Sequence, residues 1–349
     1  MSVREIIKNV SINYKSFEEY LFENRTYGLS MVLIEDNEIS DVFSYSLNQH
    51  IDSNTIFQAA SMSKSIFAAT VMRLNELGFI DIDRDITSEI MEIIVPFSEK
   101  SGKSITFKEL LNHTAGLNVH GFSGYLHGQE IPSLLEIIKG VKPSNSLKLK
   151  LTDTPNVGFS YSGGGYVLAQ YLIEKQTNKS YEEWAKELVF TPLDMKNSLL
   201  SLPIENAGKN RIANAWSCHD TPLDNGYVIH PELAAAGLWT TPSDLAIFGI
   251  EMMKALEGKS NWLSQSSAKL MIENPIEISA DSSYGLGFQM LASKSGIIFG
   301  HGGHNIGYHG QMVFCPEKRH GLVVMINSEI GADVPTHFLN QFVKNISIR

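Results

Sequence analysis

The sequence predicts an α+β fold: an antiparallel sheet built from both ends of the chain, flanked by terminal helices and carrying an inserted helical region. Strand-like stretches occur between residues 28 and 46 and again beyond about residue 283, whereas residues 80–240 are mainly helix and loop in character. Strands from the two ends can share one sheet only if the middle is an insertion. We therefore expect a sheet domain from residues 1–78 and 241–349, and a mainly helical domain from residues 79–240.

The first part of the chain predicts a helix, a hairpin and a second helix. The strands GLSMVLIED (28–36) and EISDVFSYS (38–46) meet at Asp36 and Asn37, which favour tight hairpin turns. The second helix runs from Ser61 to Gly78, because glycine suits the left-handed position after a helix end. The first helix rests on apolar residues at helical spacing: Ile6, Ile7, Val10, Phe17, Tyr20 and Leu21.

The rest of the chain predicts helices followed by strands. Capping boxes begin helices at Thr106 and Ser180, and proline at position 242 favours a third helix start. Further on, the chain returns to strands and ends in an amphipathic helix around Phe338 and Phe342. The predicted strands are residues 283–291, 296–300, 308–315 and 321–327.

Composition narrows the function classes. The 349 residues are 43% hydrophobic and 19% charged, with a net charge of -10 and no long basic run, which excludes nucleic acid and anionic membranes as main partners. Cys218 and Cys315 imply no disulfide framework. No apolar run reaches the roughly 18 residues of a membrane span. The N-terminal segment lacks the apolar core of a signal peptide, so we expect a cytoplasmic protein, or a periplasmic one if a signal was removed.

The stretch QAASMSKSIFAA places Ser61 three residues before Lys64. Positions i and i+3 share a helix face, so the serine hydroxyl and the lysine amine should meet. An apolar environment favours the neutral amine, which can then take the serine proton. Free backbone N–H groups at a helix start suit a developing oxyanion. The alternative is a capping serine beside a lysine that reaches water.

The same Ser-x-x-Lys pattern occurs at Ser266 and Lys269, among polar residues that indicate a solvated helix face. Two glycine-rich stretches distinguish the first copy. GFSYSGGGY (158–166) contains Tyr161, a residue type that can transfer protons. FGHGGHN (299–305) leads into a strand, where glycine permits close approach by another backbone or a ligand.

Ser61-x-x-Lys64, Tyr161-Ser162-Gly163 and His301-Gly302-Gly303, in that order, resemble the motifs of the serine β-lactamase and penicillin-binding protein superfamily. The likeness is to its class C-like branch of esterases, D-aminopeptidases and related hydrolases, and it spans about residues 28–328. Supporting stretches are FQAASMSK, ITFKELLNHTAGL, HPELAAAGLWTTPSDLAIFG and YGLGF. The resemblance implies a β-lactamase/transpeptidase-like fold.

Carried over to this sequence, the resemblance implies an acyl-enzyme mechanism. Ser61 would be the nucleophile, with Lys64 and Tyr161 as paired general base. The backbone N–H groups of Ser61 and His304 would form the oxyanion hole. The residues implied in substrate binding are Ser162, Gly163, His301, Gly302 and Gly303.

Two residues depart from the family pattern. Gly163 stands where the family has an asparagine that helps hold a β-lactam or peptide side chain, so penicillins should be poor substrates. His301 replaces a lysine and, being only partly charged near pH 7, should attract a substrate carboxylate less. The expected function is hydrolysis of a small ester or amide, or of a short peptide. The alternatives are a D-amino-acid peptidase or amidase, a weak β-lactamase, an acyltransferase, or a silent binding module.

Rival chemistries have weaker support. His301, His304 and His309 could suggest a metal site, with His113 and His120 as further ligands. Along a strand, however, 301 and 309 would share a face and 304 would not, and the nearby chain supplies no obvious carboxylate or thiolate set. Ser162 lacks the preceding glycine of a nucleophile elbow. The acidic stretch from Asp81 has isoleucine at position 86, where a calcium loop needs glycine. We expect neither a metal nor a cofactor. The sequence predicts no particular oligomeric state.

Overall fold

The computed structural model describes residues 2–94, 104–200, 211–293 and 296–348. An eight-stranded antiparallel sheet has the order β2-β1-β10-β9-β8-β7-β6-β5, and a two-stranded sheet joins β3 to β4. The strands are β1 (Gly28–Glu35), β2 (Glu38–Ser46), β3 (Phe57–Gln58), β4 (Trp239–Thr240), β5 (Ile276–Ser279), β6 (Ser282–Tyr284), β7 (Gln289–Ser293), β8 (Gly296–Asn305), β9 (Tyr308–Cys315) and β10 (His320–Ile326).

The two ends of the chain meet in the middle of this sheet. Strand β1 pairs with β10, with Leu29 opposite Ile326, and on its other side forms the predicted hairpin with β2. Asp36 and Asn37 both have positive φ, 53° and 60°, as a tight hairpin turn requires. The expectation of a mixed fold with one antiparallel sheet from both termini is confirmed.

Alternation along β1 divides its residues between two buried layers. Leu29 and Met31 pack with the terminal helices, whereas Val32 and Ile34 join the larger core, which includes Ile66. The terminal helices are α1 (Val3–Val10), α2 (Phe17–Glu23) and α12 (Asp333–Ile348). The sheet is therefore buried on both faces, which explains why β1 reads as a nearly continuous apolar run.

The remaining helices lie between β2 and β5 in the chain. They are α3 (Ser63–Glu76), α4 (Thr87–Ile93), α5 (Phe107–Leu111), α6 (Leu134–Lys139), α7 (Gly163–Thr177), α8 (Tyr181–Ala185), α9 (Leu233–Ala236), α10 (Pro242–Leu256) and α11 (Gln265–Ile272). The capping boxes at Thr106 and Ser180 are present, with each glutamate bonded back to its cap. Among the described helices, none has the length and apolar character needed to cross a membrane.

Two sequence predictions fail at element level. Residues 283–291 do not form one strand: β6 ends at Tyr284 and β7 begins at Gln289, because Gly287 has a φ of 80° and turns the chain toward α3. The N-terminal helical pattern is two helices, since Ser16 caps a new one. Strand β5 was not predicted, because its residues are mostly exposed and carry little apolar pattern.

Candidate active site

Ser61 lies in a tight turn just ahead of α3. Residues Ala60–Met62 form a 3-10 turn, so the α-helix itself begins two residues later than predicted. Ala60 has a φ of 49°, a left-handed conformation that costs a non-glycine residue about 1–2 kcal/mol. The Ser63 hydroxyl, which donates to the Ala60 carbonyl at 2.5 Å, helps to hold this turn. The turn leaves Ser61 only partly buried at the start of the helix.

Lys64 points inward, not to water. Its side chain is 2% exposed, and Nζ lies 3.1 Å from Ser61 Oγ and 2.8 Å from the Ala235 carbonyl oxygen. Nζ also faces the rings of Tyr161 and Tyr166 at 5.0 Å and 5.5 Å. Among the described residues, the hydrogen-bond partners of this amine are a hydroxyl and a carbonyl, and no carboxylate pairs with it.

Tyr161 lies on the loop that enters α7, with its ring against Lys64. The ring centroid is 4.2 Å from that of His113 and 4.7 Å from that of His120, so two imidazoles hold it in place. Its hydroxyl makes no hydrogen bond to any described residue. The hydroxyl is therefore available to a substrate or to a proton in transit.

Strand β8 brings the glycine motif directly against the turn that carries Ser61. A Cβ on Gly303 would lie 2.2 Å from the Ala59 carbonyl oxygen, so only glycine fits there. Gly302 pairs with Gln311 of β9. His304 follows Gly303 on the strand. Its exposed side chain points away from the Ser61 turn, while its backbone runs beside that turn. This placement is compatible with the predicted oxyanion pair, which stays a prediction.

The break between β6 and β7 lets Gly287 pack against the helix that carries Lys64. A Cβ on Gly287 would contact Ala68 at 2.5 Å and the Lys64 carbonyl oxygen at 2.9 Å. The Gly287 carbonyl accepts a 2.6 Å hydrogen bond from Ser65. The YGLGF stretch thus fixes the sheet edge onto the helix turn that carries Lys64.

His301 is buried and neutral, which corrects the expectation of partial charge near pH 7. Burial and the nearby Lys64 lower its pKa to about 3. Nδ1 lies 2.5 Å from the Gly302 carbonyl oxygen and must donate, so Nε2 accepts from the Tyr284 hydroxyl at 2.9 Å. With both nitrogens engaged, His301 offers a substrate its ring face and not a charge.

The Tyr161-Ser162-Gly163 motif forms the start of α7. Ser162 is the N-cap: Oγ accepts from Gly165 N–H at 3.1 Å and donates to the Asn118 carbonyl at 2.6 Å. Its hydroxyl is therefore committed to the fold, which argues against a nucleophilic role, and any part in substrate binding must come through its backbone. A Cβ on Gly163 would lie 3.0 Å from the Phe122 ring, which lies close to where a side chain at 163 would extend.

Sequence reasoning missed His113 as a member of the site. Its Nδ1 accepts from Ser162 N–H at 3.1 Å, and its ring packs on Tyr161 and Tyr284. Burial lowers the pKa of His113 well below its usual value, and repulsion from Lys64 is the second cause of this shift. The only sequence signal was its place in the stretch ITFKELLNHTAGL.

A buried amide pair also escaped the sequence analysis. Asn305 Nδ2 donates to Gln58 Oε1 at 2.7 Å and to the Ala236 carbonyl at 3.1 Å. Gln58 Nε2 in turn donates to the Val228 carbonyl. These bonds tie the end of β8 to the strand that precedes Ser61, so they keep the two predicted oxyanion donors in register.

A cavity of about 320 Å³ adjoins Tyr161 and Gly163. Its lining includes His120, which stacks on Tyr161, and Phe122, which lies against Gly163. A larger depression of about 640 Å³ lies elsewhere, between Asp194, Trp262 and Arg319, and shares no residue with the site. Through His120, the smaller cavity borders the loop that carries Tyr161.

The predicted histidine set separates onto two faces of the sheet. His301 and His113 belong to the Lys64 side, whereas His304 and His309 lie together on the other side, beside Glu329. The prediction that 301 and 309 share a face and 304 does not is wrong, because the chain reverses at Gly307 and pairs His304 with His309. The five histidines do not form one cluster. The acidic stretch from Asp81 forms local turns, with Asp85 bonded to Thr87 and Asp83 paired with Lys108.

Comparisons with known proteins give a consistent result. A family model described as Beta-lactamase matches residues 15–343. A penicillin-binding protein of Bacillus subtilis is 23% identical over 296 residues, covering 80% of this chain and 62% of the relative. The unguisins hydrolase of Aspergillus violaceofuscus is 22% identical, covering 80% and 53%. The chain spans about half the length of the curated relatives it matches.

Solved structures share the fold. The octameric penicillin-binding protein homologue of Pyrococcus abyssi matches with a TM-score of 0.76 at 23% identity, over 97% of this chain and 78% of that one. The D-amino acid amidase of Ochrobactrum anthropi matches with a TM-score of 0.75 at 22% identity, over 98% of each chain. At these identities the likeness establishes the architecture alone.

Proposed function

Because the chain belongs to the beta-lactamase family, we propose that it is a serine hydrolase that works through an acyl-Ser61 intermediate. The observation that carries this proposal is the buried contact of 3.1 Å between Lys64 Nζ and Ser61 Oγ. A lysine in water would have no reason to contact this hydroxyl. A buried amine beside a hydroxyl, in contrast, can act as the base for a serine nucleophile.

The reaction has two halves. In the first, Ser61 Oγ attacks the substrate carbonyl carbon and gives its proton to the paired base formed by Lys64 and Tyr161. The negative oxygen of the tetrahedral intermediate is held by the backbone N–H groups of Ser61 and His304. The intermediate collapses, and the leaving alcohol or amine takes the proton, passed through Tyr161. In the second, a water molecule gives a proton to the same base and attacks the acyl carbon. The acyl–Oγ bond then breaks, the carboxylic acid leaves, and Ser61 Oγ takes that proton.

A small ester or amide is the proposed substrate. The site carries no fixed positive charge from His301, since that ring is neutral and both its nitrogens are engaged. A substrate with a free carboxylate next to the reacting carbonyl would lose the attraction that a lysine provides. The modest cavity beside His120 and Phe122 suits a small acyl or amine group, including a short peptide.

A D-amino-acid amidase or peptidase is the second candidate. It is favoured by the full-length structural match to a D-amino acid amidase, which covers 98% of both chains. Penicillin hydrolysis ranks lower, because Phe122 lies next to the space that a side chain at position 163 would occupy. Transfer of the acyl group to an amine or alcohol uses the same residues, with the acceptor in place of water.

The test is to trap the acyl-enzyme and screen substrates in parallel. Purified protein is incubated with a covalent serine probe, and the modified peptide is identified by mass spectrometry. The adduct should be on Ser61. Nitrophenyl esters, D-amino acid amides and penicillins are then compared by kcat/KM for wild type and Ser61→Ala. Folded protein that gives no Ser61 adduct and no turnover would mean a binding module in place of an enzyme.

A further inference from the structure

A histidine pair and a glutamate lie together on the sheet face opposite the Ser61 site. His304 and His309 are register partners on β8 and β9, and their rings stack with centroids 4.2 Å apart and planes 12° apart. His304 Nε2 lies 2.9 Å from Glu329 Oε1. One side-chain donor atom from each of the three residues lies within 4.8 Å of the other two.

The carboxylate of this cluster is already held in place by the backbone. Glu329 Oε2 accepts a 2.6 Å hydrogen bond from the backbone N–H of Gly307, in the hairpin turn between the two strands, which fixes the carboxylate. The His309 Nε2 atom is buried and has no hydrogen-bond partner among the described residues. An unpartnered buried nitrogen is costly, and a bound cation would supply the missing partner.

We propose that His304, His309 and Glu329 bind a divalent cation of the zinc class. Two imidazoles and one carboxylate form a set that zinc accepts, with a water molecule in the fourth position. Zinc bonds of about 2.0–2.1 Å place tetrahedral donors about 3.3 Å apart, close to the present His304–Glu329 contact. Binding requires the His304 ring to turn out of its stack, and its side chain, 57% exposed, has room to do so.

The proposed site is separate from the Ser61 chemistry. Gly303 faces the turn that carries Ser61, so the side chain of His304, the next residue along the strand, points to the other face of the sheet. A cation there cannot touch a substrate carbonyl at Ser61. It would instead link the β8–β9 hairpin to the segment that follows β10. Glu329 lies in that segment, two residues beyond Asn327.

Direct binding tests the proposal without any activity measurement. The whole protein, stripped with a chelator, is titrated with Zn²⁺ by calorimetry and with Co²⁺ by visible absorption. We expect one equivalent of Zn²⁺, and a Co²⁺ spectrum that reports histidine ligation. His304→Gln, His309→Gln and Glu329→Gln should each weaken binding at least about tenfold. Because His304 is largely exposed, its replacement should leave the fold intact, which circular dichroism can verify.

His320→Gln is the matched control, because His320 also faces a carboxylate, Glu35 at 3.9 Å, but belongs to no such three-residue cluster among the described residues. It should bind zinc as the wild type does. Wild-type protein that binds no more zinc than His304→Gln would overturn the proposal. So would binding that survives in all three ligand variants, since the cation would then lie elsewhere.

Discussion

The chain contains the Ser-x-x-Lys pattern twice, and the two copies have opposite environments. Ser61 and Lys64 lie 3.1 Å apart, and the lysine is 2% exposed. On α11, Lys269 keeps 45% of its side chain in solvent and faces Glu273 at 3.8 Å. The exposed Ser266 bonds to Ser264, and not to the lysine.

The difference lies in the surroundings and not in the four-residue pattern. Helical spacing alone permits contact in both copies. What the second lacks is a set of groups from distant parts of the chain: the Ala235 carbonyl, the Tyr161 ring and the glycine strand at Gly303. Those groups keep water and carboxylates away from the first lysine. The second lysine can be satisfied by solvent and Glu273.

The largest expected difference between the copies is at the serines. Ser61→Ala should lower kcat for an activated nitrophenyl ester by about 10⁴-fold or more, because the nucleophile is gone. Ser266→Ala should leave kcat unchanged. Initial rates at saturating ester measure both, and substantial activity in Ser61→Ala would end the acyl-Ser61 proposal.

The lysines should separate nearly as far. Lys64→Met should lower kcat by up to about 10⁴-fold, since it removes the base but keeps the buried volume. Lys269→Met serves as the control and should retain wild-type turnover. Thermal unfolding of both variants distinguishes lost chemistry from lost fold. Equal rates in the two lysine variants would mean that burial does not matter.

Tyr161→Phe removes one of the groups that only the first copy has. We expect kcat to fall by roughly 10²–10⁴-fold, the usual range for a general acid or base, with little change in stability because the ring packing on His113 remains. Steady-state kinetics and an unfolding curve measure the two quantities. An unchanged kcat would assign the proton transfer to Lys64 alone.

The buried His301 makes the first site sensitive to acid. Its folded pKa is about 3 and its ordinary value 6.5, so below pH 6.5 the unfolded chain binds the proton more readily. Its stabilising contribution is present above pH 6.5 and is lost as the pH falls toward 3, by at most about 1.4 kcal/mol per pH unit. Urea unfolding from pH 7 to 4 should show a steeper loss for wild type than for His301→Gln. Parallel slopes would contradict the buried neutral imidazole.

The smallest effect is expected at Gly163. Gly163→Asn should raise penicillin turnover by less than about tenfold, because the new side chain meets Phe122 and the His120 carbonyl at 3.0 Å. The double variant Gly163→Asn with Phe122→Ala tests that reason, and it should exceed the single variant in kcat/KM. A large gain from Gly163→Asn alone would show that Phe122 yields easily.

Local signals in the sequence predicted the fold well. The Asp36 and Asn37 turn and the capping boxes depend on neighbours within a few residues, so the sequence displays them. The break at Gly287 could not be predicted, because it exists for the approach to Ala68 on a different element. Positive φ at that glycine has no local cause.

The site was predicted in part for the same reason. Spacing brought Ser61 and Lys64 together, and the resemblance supplied Tyr161 as an expectation. The role of His113 depends on Ser162 and Tyr284, which lie about 50 and 170 residues away in the chain. The neutrality of His301 depends on burial, and a sequence pattern does not display burial of a single ring.

The pairing of β1 with β10 has a consequence for how the chain acquires its shape. Leu29 pairs with Ile326, which is synthesised nearly 300 residues later. At a ribosomal rate of roughly 5–20 residues per second, that interval takes about 15–60 seconds. Until then the β1 edge stays open, while the middle helices can already pack. Because β8 and β9 are also synthesised late, the turn that carries Ser61 contacts Gly303 only near the end of synthesis. A newly made chain should therefore be helical well before the proposed active site is complete.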